Sequence, residues 1–407
     1  MADARPAVLV WSSLFPNPAQ PQAGVFVRER MFRVGAHLPI TVISPQPWFP
    51  LQGLVRLFRP HFRPRMPRRE QQMGVEVYRP RYFSFPGVFK GLDARLMALG
   101  ALRAVRALRR EGRVDLIDAH FGYPDGCAAL RVAQRLGVPC TVTLRGTEAR
   151  HALDSELRPQ LSAALRSAAR VFAVADSLRD VAISLGVQQA SVRTVGNGVD
   201  STKFRASDRA AQRQRLGLPQ DAAVLITVGG LVERKGFHRV IACMPELLRA
   251  FPALHYLVVG SPGPEGDYSE RLKRQVAELG LGERVHFLGG MPPERLCDAL
   301  SAADVFVLAT RNEGWANVLL EAMACGLPVV ATDVGGNAQV VCQREIGTIV
   351  PFDDHAALTS ALSDALARQW DRGAIRRYAE ANDWQQRVAV LVDEFRALHA
   401  RGAGSSA

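Results

Sequence analysis

The sequence predicts an α/β protein of two doubly wound, Rossmann-like domains. Three observations carry this expectation. The chain has 407 residues, long for one hydrophobic core and natural for two. Short runs rich in β-branched residues alternate with amphipathic segments along most of its length, as in right-handed βαβ units whose parallel sheets are covered on both faces. The alternation breaks once, near 195–221, where a turn and a polar helix stand without a strand.

In order, "AVLVW", "ITVIS", "VDLIDAH", "CTVTL" and "RVFAVA" read as strands of the first half, and "AVLITVGG", "LHYLVVG", "RVHFLGG", "ADVFVLAT", "PVVATD" and "GTIVPF" as strands of the second. The break places the domain boundary at 202/203, giving domains 1–202 and 203–383. "NDWQQRVAVLVDEFRALHA" reads as an amphipathic helix over about 384–400, with Val388, Leu391, Val392 and Phe395 on one stripe, and 401–407 as a disordered tail. The opening "MADARPAVLVWSSLF" reads as a first strand and not as a secretory signal. No apolar run approaches the ~18–20 residues of a membrane span. Six cysteines without C-x-x-C spacing read as buried, reduced thiols, so a cytoplasmic protein is expected. The net charge of +12 comes almost entirely from arginine, since there are only four lysines. Codon usage alone can produce such a bias, and no recognition helix, zinc knuckle or RNP-like aromatic pattern accompanies it, so nucleic acid is not an expected partner.

In doubly wound folds, ligands bind beyond the carboxyl ends of the strands. Two such domains place the expected site in a cleft between them. The strand "ADVFVLAT" leads into "RNEGWANVLLEAMACGLPVVATDVGGN". Glu313 falls on the loop, Asn317 reads as the N-cap of the next helix, and Glu321 lies one turn inside it. A helix entrance offers unpaired N–H groups and suits a phosphate. Carboxylates would repel that phosphate but accept hydrogen bonds from sugar hydroxyls. One glutamate on each side of a diphosphate fits a nucleotide-sugar. The bland alternative makes Glu313 a solvated acid and Glu321 a favourable first-turn one. "ITVGGLVERKGFHRVI" sets Arg234 and Lys235 at another helix entrance, a poor place for cations unless an anion binds there.

"EGWANVLLEAMACGLPVVATDVGG" closely resembles the signature of retaining glycosyltransferases of family 4, which have the GT-B fold. The resemblance covers roughly residues 6–400 and is most specific at 311–337. It implies that Glu313 holds hydroxyls of the donor sugar and is catalytic, and that Glu321 holds the ribose. Backbone groups of Gly314, Trp315, Ala316, Asn317 and Val318 would face the sugar and diphosphate. Lys235 would grip the diphosphate. The family's arginine partner is Gly230 here, which leaves Arg234 to compensate. "VVGSPGPEG", with Gly263, matches the family's glycine-rich turn near the nucleotide base, and a plain turn accounts for it equally well. Gly335-Gly336 would give close backbone approach, and Gln339 stands where the family often has an acid.

In the first domain, the resemblance makes His120, at the end of "VDLIDAH", a contact to the donor sugar near the reacting carbon. Arg145-Gly146-Thr147-Glu148 replaces the family's H-G-x-D, leaving open whether Arg145 touches substrate or only pairs with Glu148. Gly24 would open the first helix toward the distal phosphate. Asn197-Gly198 reads as a structural turn. The family fold also implies that the final helix returns to the first, acceptor-binding domain, and that the second binds the nucleotide-sugar.

Residues 48–69, "WFPLQGLVRLFRPHFRPRMPRR", hold six arginines and no acids. Leu51, Leu54, Val55, Phe58 and Phe62 fall at helical spacing, flanked by Arg56, Arg59 and Arg63. The stretch reads as an interfacial helix on an anionic membrane or as a basic surface loop. The expectation is therefore a retaining hexosyltransferase for a cell-envelope polysaccharide such as capsule or exopolysaccharide. Its partners would be a nucleotide-sugar donor and a glycan or lipid-linked acceptor, with peripheral contact at the inner membrane face. No D-x-D run occurs, so no metal or other cofactor is expected. A sugar-nucleotide epimerase of the same architecture and a non-catalytic nucleotide-sugar-binding subunit are the alternatives.

Overall fold

The computed structural model describes residues 5–404 apart from 22, 59–61 and 264. The chain divides into two compact units, Met1–Asn197 with Gln385–Ala407, and Gly198–Trp384. The division falls at 197/198 instead of 202/203 because Val199 bridges to Asp383. Gly198 sits so close to the Trp384 backbone that a Cβ would come within 2.5 Å of its nitrogen. The glycine is there for this crossing of two segments and not for a tight turn.

The first unit holds β1 (Val8–Trp11), β2 (Ile40–Ile43), β3 (Gln46–Trp48), β4 (Arg69–Gln72), β5 (Val75–Tyr78), β6 (Arg81–Phe83), β7 (Leu116–His120), β8 (Cys140–Leu144), β9 (Arg170–Ala173) and β10 (Val192–Thr194). Eight of them form one sheet in the order β10-β9-β8-β7-β1-β2-β5-β4, parallel throughout except for β4 against β5. The topological switch point lies between β1 and β7. Val8 and Val10 share a core with Val388, Leu391, Val392 and Phe395 of the helix Trp384–Gly404, and Phe395 meets Phe172 edge-on. That helix continues to Gly404, so 401–404 are helical and not part of a disordered tail; 405–407 lie outside the described residues.

The second unit holds β11 (Val224–Val228), β12 (His255–Val259), β13 (Val285–Gly289), β14 (Val305–Leu308), β15 (Val329–Thr332) and β16 (Gly347–Val350), in the order β13-β12-β11-β14-β15-β16 and parallel throughout. Alternate residues serve separate cores. Val224, Ile226, Phe306 and Leu308 pack on one face, and Leu225, Val305 and Val307 on the other. This is why these strands read as unbroken apolar runs. The switch point lies between β11 and β14.

β3 to β6 and β10 were not expected. β4 is polar and lies at the sheet edge, next to the alternating β5, so neither offers an apolar run. Met73 and Gly74 both have positive φ and join them as a two-residue hairpin turn. Of the cysteines, Cys342 is exposed, with its Sγ 3.3 Å from the Tyr378 hydroxyl, while the other five are buried and none is bridged.

Candidate functional site

Each unit gathers chemistry-bearing residues beyond the carboxyl ends of the two strands at its switch point. In the second unit, the turn Glu233–Lys235 follows β11 and leads through Gly236 into the helix Phe237–Ala250. Gly236 has φ 78, and a Cβ there would lie 1.8 Å from the Ala309 carbonyl oxygen. Only glycine lets the helix start this close to the end of β14. The two loops are also tied through Arg234, whose carbonyl accepts from the Arg311 amide at 2.8 Å and the Thr310 hydroxyl at 3.0 Å.

This docking sets Lys235 against Glu313. Lys235 Nζ donates to Glu313 Oε1 at 2.5 Å, and the two side chains are 15% and 10% exposed. Arg234 Nη1 and the Thr310 hydroxyl reach the same oxygen at 3.3 Å. Ion pairs to Lys235 and Arg234 fix this sheltered carboxylate in position. Arg234 also grips Glu265 through Nε and Nη2 at 2.7–2.9 Å, and the Glu265 hydrogen bond raises its pKa. The structure thus places Arg234 in the site as a bridge between two acids. Gly230 stands nearby in open space, its nearest neighbour being Ser261 O at 3.8 Å from an added Cβ.

Behind Glu313, Gly335 has φ 57, and a Cβ there would fall 1.7 Å from the Glu313 carbonyl oxygen. The Gly336 amide donates to the Gly314 carbonyl at 3.1 Å. The glycine pair therefore braces the glutamate loop from beneath. The helix begins at Asn317, and its N-cap falls on Ala316 without a side-chain cap, one residue earlier than expected. Glu321 lies one turn in, and Val318 is half-buried. Trp315 Nε1 is buried beside this entrance without a hydrogen-bond partner. Gly263 and Gly266 exchange backbone hydrogen bonds in a turn that carries Glu265.

In the first unit, Gly24 has φ 68 and caps the helix Val25–Val34, with no room for a Cβ against the Leu14 carbonyl at 2.2 Å. His120 ends β7 as expected but is fully buried. Its Nδ1 accepts from Arg145 Nε and Nη2 at 3.2 and 3.0 Å. Asp118 Oδ2 is 3.3 Å from Nε2, near enough for attraction but not aligned as a hydrogen bond. Arg145 also donates to Asn197 Oδ1 at 3.3 Å and covers the Phe26 ring. Its guanidinium does not pair with Glu148. That carboxylate instead accepts the amides of Gly122, Arg145 and Gly146 at 2.7–3.0 Å and shapes the loop.

Burial, then the charge of Arg145, lowers the His120 imidazole from 6.5 to about 4. The ring is neutral when folded, whereas the unfolded chain takes up its proton near 6.5. Between those values the unfolded state binds more protons, so stability is full above pH 6.5 and lost as pH falls toward 4. His120→Gln removes this dependence. The variant's stability deficit is expected to shrink by about 1–2 kcal/mol between about pH 7.5 and about pH 5 in thermal melts. An unchanged deficit would mean that the folded ring is charged.

Sequence reasoning missed Thr310, Glu265 and Asp118. Each is a lone polar residue without a spacing signature, and only the juxtaposition of loops gives it a partner. Among the described residues, no group of three or more His, Cys, Asp or Glu is placed to hold a metal ion.

A family model described as Glycosyl transferases group 1 matches residues 208–382, and one described as Glycosyltransferase Family 4 matches residues 51–203. The chain is similar to the putative teichuronic acid biosynthesis glycosyltransferase TuaC of Bacillus subtilis, 30% identical over 399 residues, 94% of this chain and 91% of that protein. Its fold is that of sucrose-phosphate synthase from Thermosynechococcus elongatus, with a TM-score of 0.77 at 22% identity over 98% of this chain and 100% of that one. It is also that of Anabaena HepE in complex with UDP, with a TM-score of 0.73 at 19% identity over 96% and 99%.

Proposed function

Because the chain belongs to the group 1 and family 4 glycosyltransferases of the GT-B fold, we propose that it moves a sugar from a nucleotide-sugar to a cell-envelope glycan or lipid-linked acceptor, with retention at the anomeric carbon and without a bound metal. The observation that carries this reading is the 2.5 Å contact between Lys235 and Glu313 at the switch point of the second unit. A donor diphosphate competes for the Lys235 ammonium. As it takes that charge, Glu313 turns its acceptor oxygens to the hydroxyls of the donor sugar.

The entrances of the helices Phe237–Ala250 and Asn317–Ala324 present backbone N–H groups to the phosphates. Lys235 and these amides stabilise the charge that develops on the leaving diphosphate. Arg234 adds to that field, tempered by Glu265. Glu321 takes the ribose. His120, through Arg145 and Asp118, belongs to the acceptor-side unit. With the leaving group neutralised in this way, no metal is required.

A thermal-shift panel of UDP-, GDP- and ADP-sugars selects the donor. Transfer with that donor is expected to continue in EDTA and to give a product of retained configuration by NMR. Inversion, or collapse of the rate in EDTA, counts against the mechanism. A changed donor sugar in the absence of any acceptor identifies an epimerase.

Peripheral membrane contact through 48–69 belongs to the same proposal. No helix among the described residues is long and apolar enough to cross a membrane. The helix Gln52–Phe58 leaves Leu54, Leu57 and Phe58 exposed, with Leu51 just before it. The stripe differs from the expected one. Val55 is half-buried, Phe62 packs on Phe49, Arg56 and Arg63 donate to backbone carbonyls, and Arg59 lies outside the described residues. Co-sedimentation with anionic but not neutral vesicles is expected, and equal sedimentation rejects the contact.

A further inference from the structure

The first unit contains a cavity of about 350 Å³ to which the proposed transfer assigns no role. Ser13 and Leu14 wall it on one side, just beyond the carboxyl end of β1. Arg56, Arg63, Arg65, Arg68, Arg79 and Arg81 line the rest, and no aspartate or glutamate lines it.

Six guanidinium groups around one small volume repel one another. The Arg56 pKa is lowered, first by burial and then by the charges of Arg65 and Arg81. Arg65, Arg68 and Arg81 form no ion pair with a carboxylate among the described residues. Arg79 is the most telling. It is 2% exposed, and its Nη2 donates to Glu70 at 2.6 Å and to the Pro16 carbonyl at 3.0 Å. Its Nε and Nη1 have no hydrogen-bond partner. Charged N–H donors buried without an acceptor are costly, and an anion in the cavity would offset their charge.

We propose that this cavity binds a phosphate or diphosphate group carried by the acceptor. The inference rests on the reading of the chain as a glycosyltransferase and adds the chemical class of its acceptor. A carboxylate offers two oxygens, which one arginine fork satisfies. Several forks converging on one volume match the three or more acceptor oxygens of a phosphate ester. The volume suits a diphosphate with part of a sugar. A second hollow of about 360 Å³ adjoins the cavity, sharing Trp48, Gln52, Arg56, Arg65 and Arg81, and Leu51 lies on its wall. Water-soluble sugar phosphates and lipid-borne ones both carry the chemistry proposed.

Calorimetric titration of the full chain with inorganic pyrophosphate tests this, with the donor's nucleoside diphosphate present at saturation to occupy the second unit. Binding is expected in the wild type. It should weaken by about 10–100-fold in the double variant Arg65→Gln/Arg81→Gln, both surface positions, while nucleoside diphosphate affinity stays the same. Arg79→Gln should lose binding in the same way. Because that buried change can impair folding, the double variant decides. Pyrophosphate binding that is absent from the wild type or undiminished in the double variant overturns the proposal. Failure to bind any nucleoside diphosphate would instead overturn the glycosyltransferase reading beneath it. Displacement of pyrophosphate by glucose 1-phosphate marks a soluble acceptor, and displacement only by phosphatidic acid vesicles marks a lipid-borne one. Either supports the proposal, and displacement by neither counts against it.

Discussion

Glu313→Gln is expected to lower kcat for sugar transfer by about 10²–10³-fold while leaving nucleoside diphosphate binding nearly unchanged. Glutamine keeps the size of the side chain and one oxygen, so Lys235 and Thr310 retain an acceptor within 2.5–3.3 Å. What disappears is the negative charge that, in the proposed mechanism, accepts from sugar hydroxyls and balances charge as the glycosidic bond opens. In the proposed mechanism the diphosphate meets Lys235 and backbone amides, none of which the substitution removes. The discriminating measurement pairs single-turnover transfer with calorimetric binding of the nucleoside diphosphate. A variant with normal turnover would rule out the assignment of Glu313. A variant that lost both turnover and nucleotide binding would show that the charge mainly supports the loop.

Gly335→Ala should have the second largest effect, and it acts through geometry alone. The added Cβ would have to share space with the Glu313 carbonyl oxygen, 1.7 Å away, at a φ of 57 that alanine adopts at a cost of about 1 kcal/mol. Backbone cannot rotate out of the way as a side chain can, so the glutamate loop must move. The variant is expected to lose about 2–4 kcal/mol of stability in the second unit. It should also lose more than ~10-fold in kcat under conditions where it remains folded, because displacements of about 1 Å are costly at a reacting centre. Gly280→Ala is the control. It also has a positive φ of 67, yet an added Cβ there meets nothing within 4 Å, so it should lower stability without the matching loss of kcat. Equal turnover in Gly335→Ala and wild type would mean that Glu313 does not depend on its brace.

Much of the candidate site was legible because its residues sit in one contiguous stretch. Glu313, Glu321 and the glycine pair lie within 24 residues, on a strand–loop–helix unit whose apolar periodicity is strong. Lys235 was legible for a different reason, since a cation at a helix entrance contradicts the helix dipole unless something compensates. The compensation in the structure is Glu313 itself, 78 residues away. Nothing in local spacing announces that pairing. It follows from β11 and β14 lying side by side at the switch point.

The arginines of 48–69 illustrate the opposite case. Their helical spacing suggested one outward-facing amphipathic surface. The short strands β3 to β6 instead fold part of the segment around a cavity, turning Arg56 and Arg63 inward, and Arg79 joins them from the strand pair nearby. Those strands are three or four residues long, and β4 is polar. Periodicity is weak over so few positions.

The sequence by itself determined the two α/β units, the switch-point loops and the charged residue types gathered there. Strand burial and helix entrances are local properties written in apolar runs and caps. Only the tertiary structure decided that Lys235 holds Glu313, that Arg145 serves His120 and not Glu148, and that six arginines enclose one cavity. Each of these depends on which loops the sheet order brings together, and long-range pairing leaves no periodic trace in the chain.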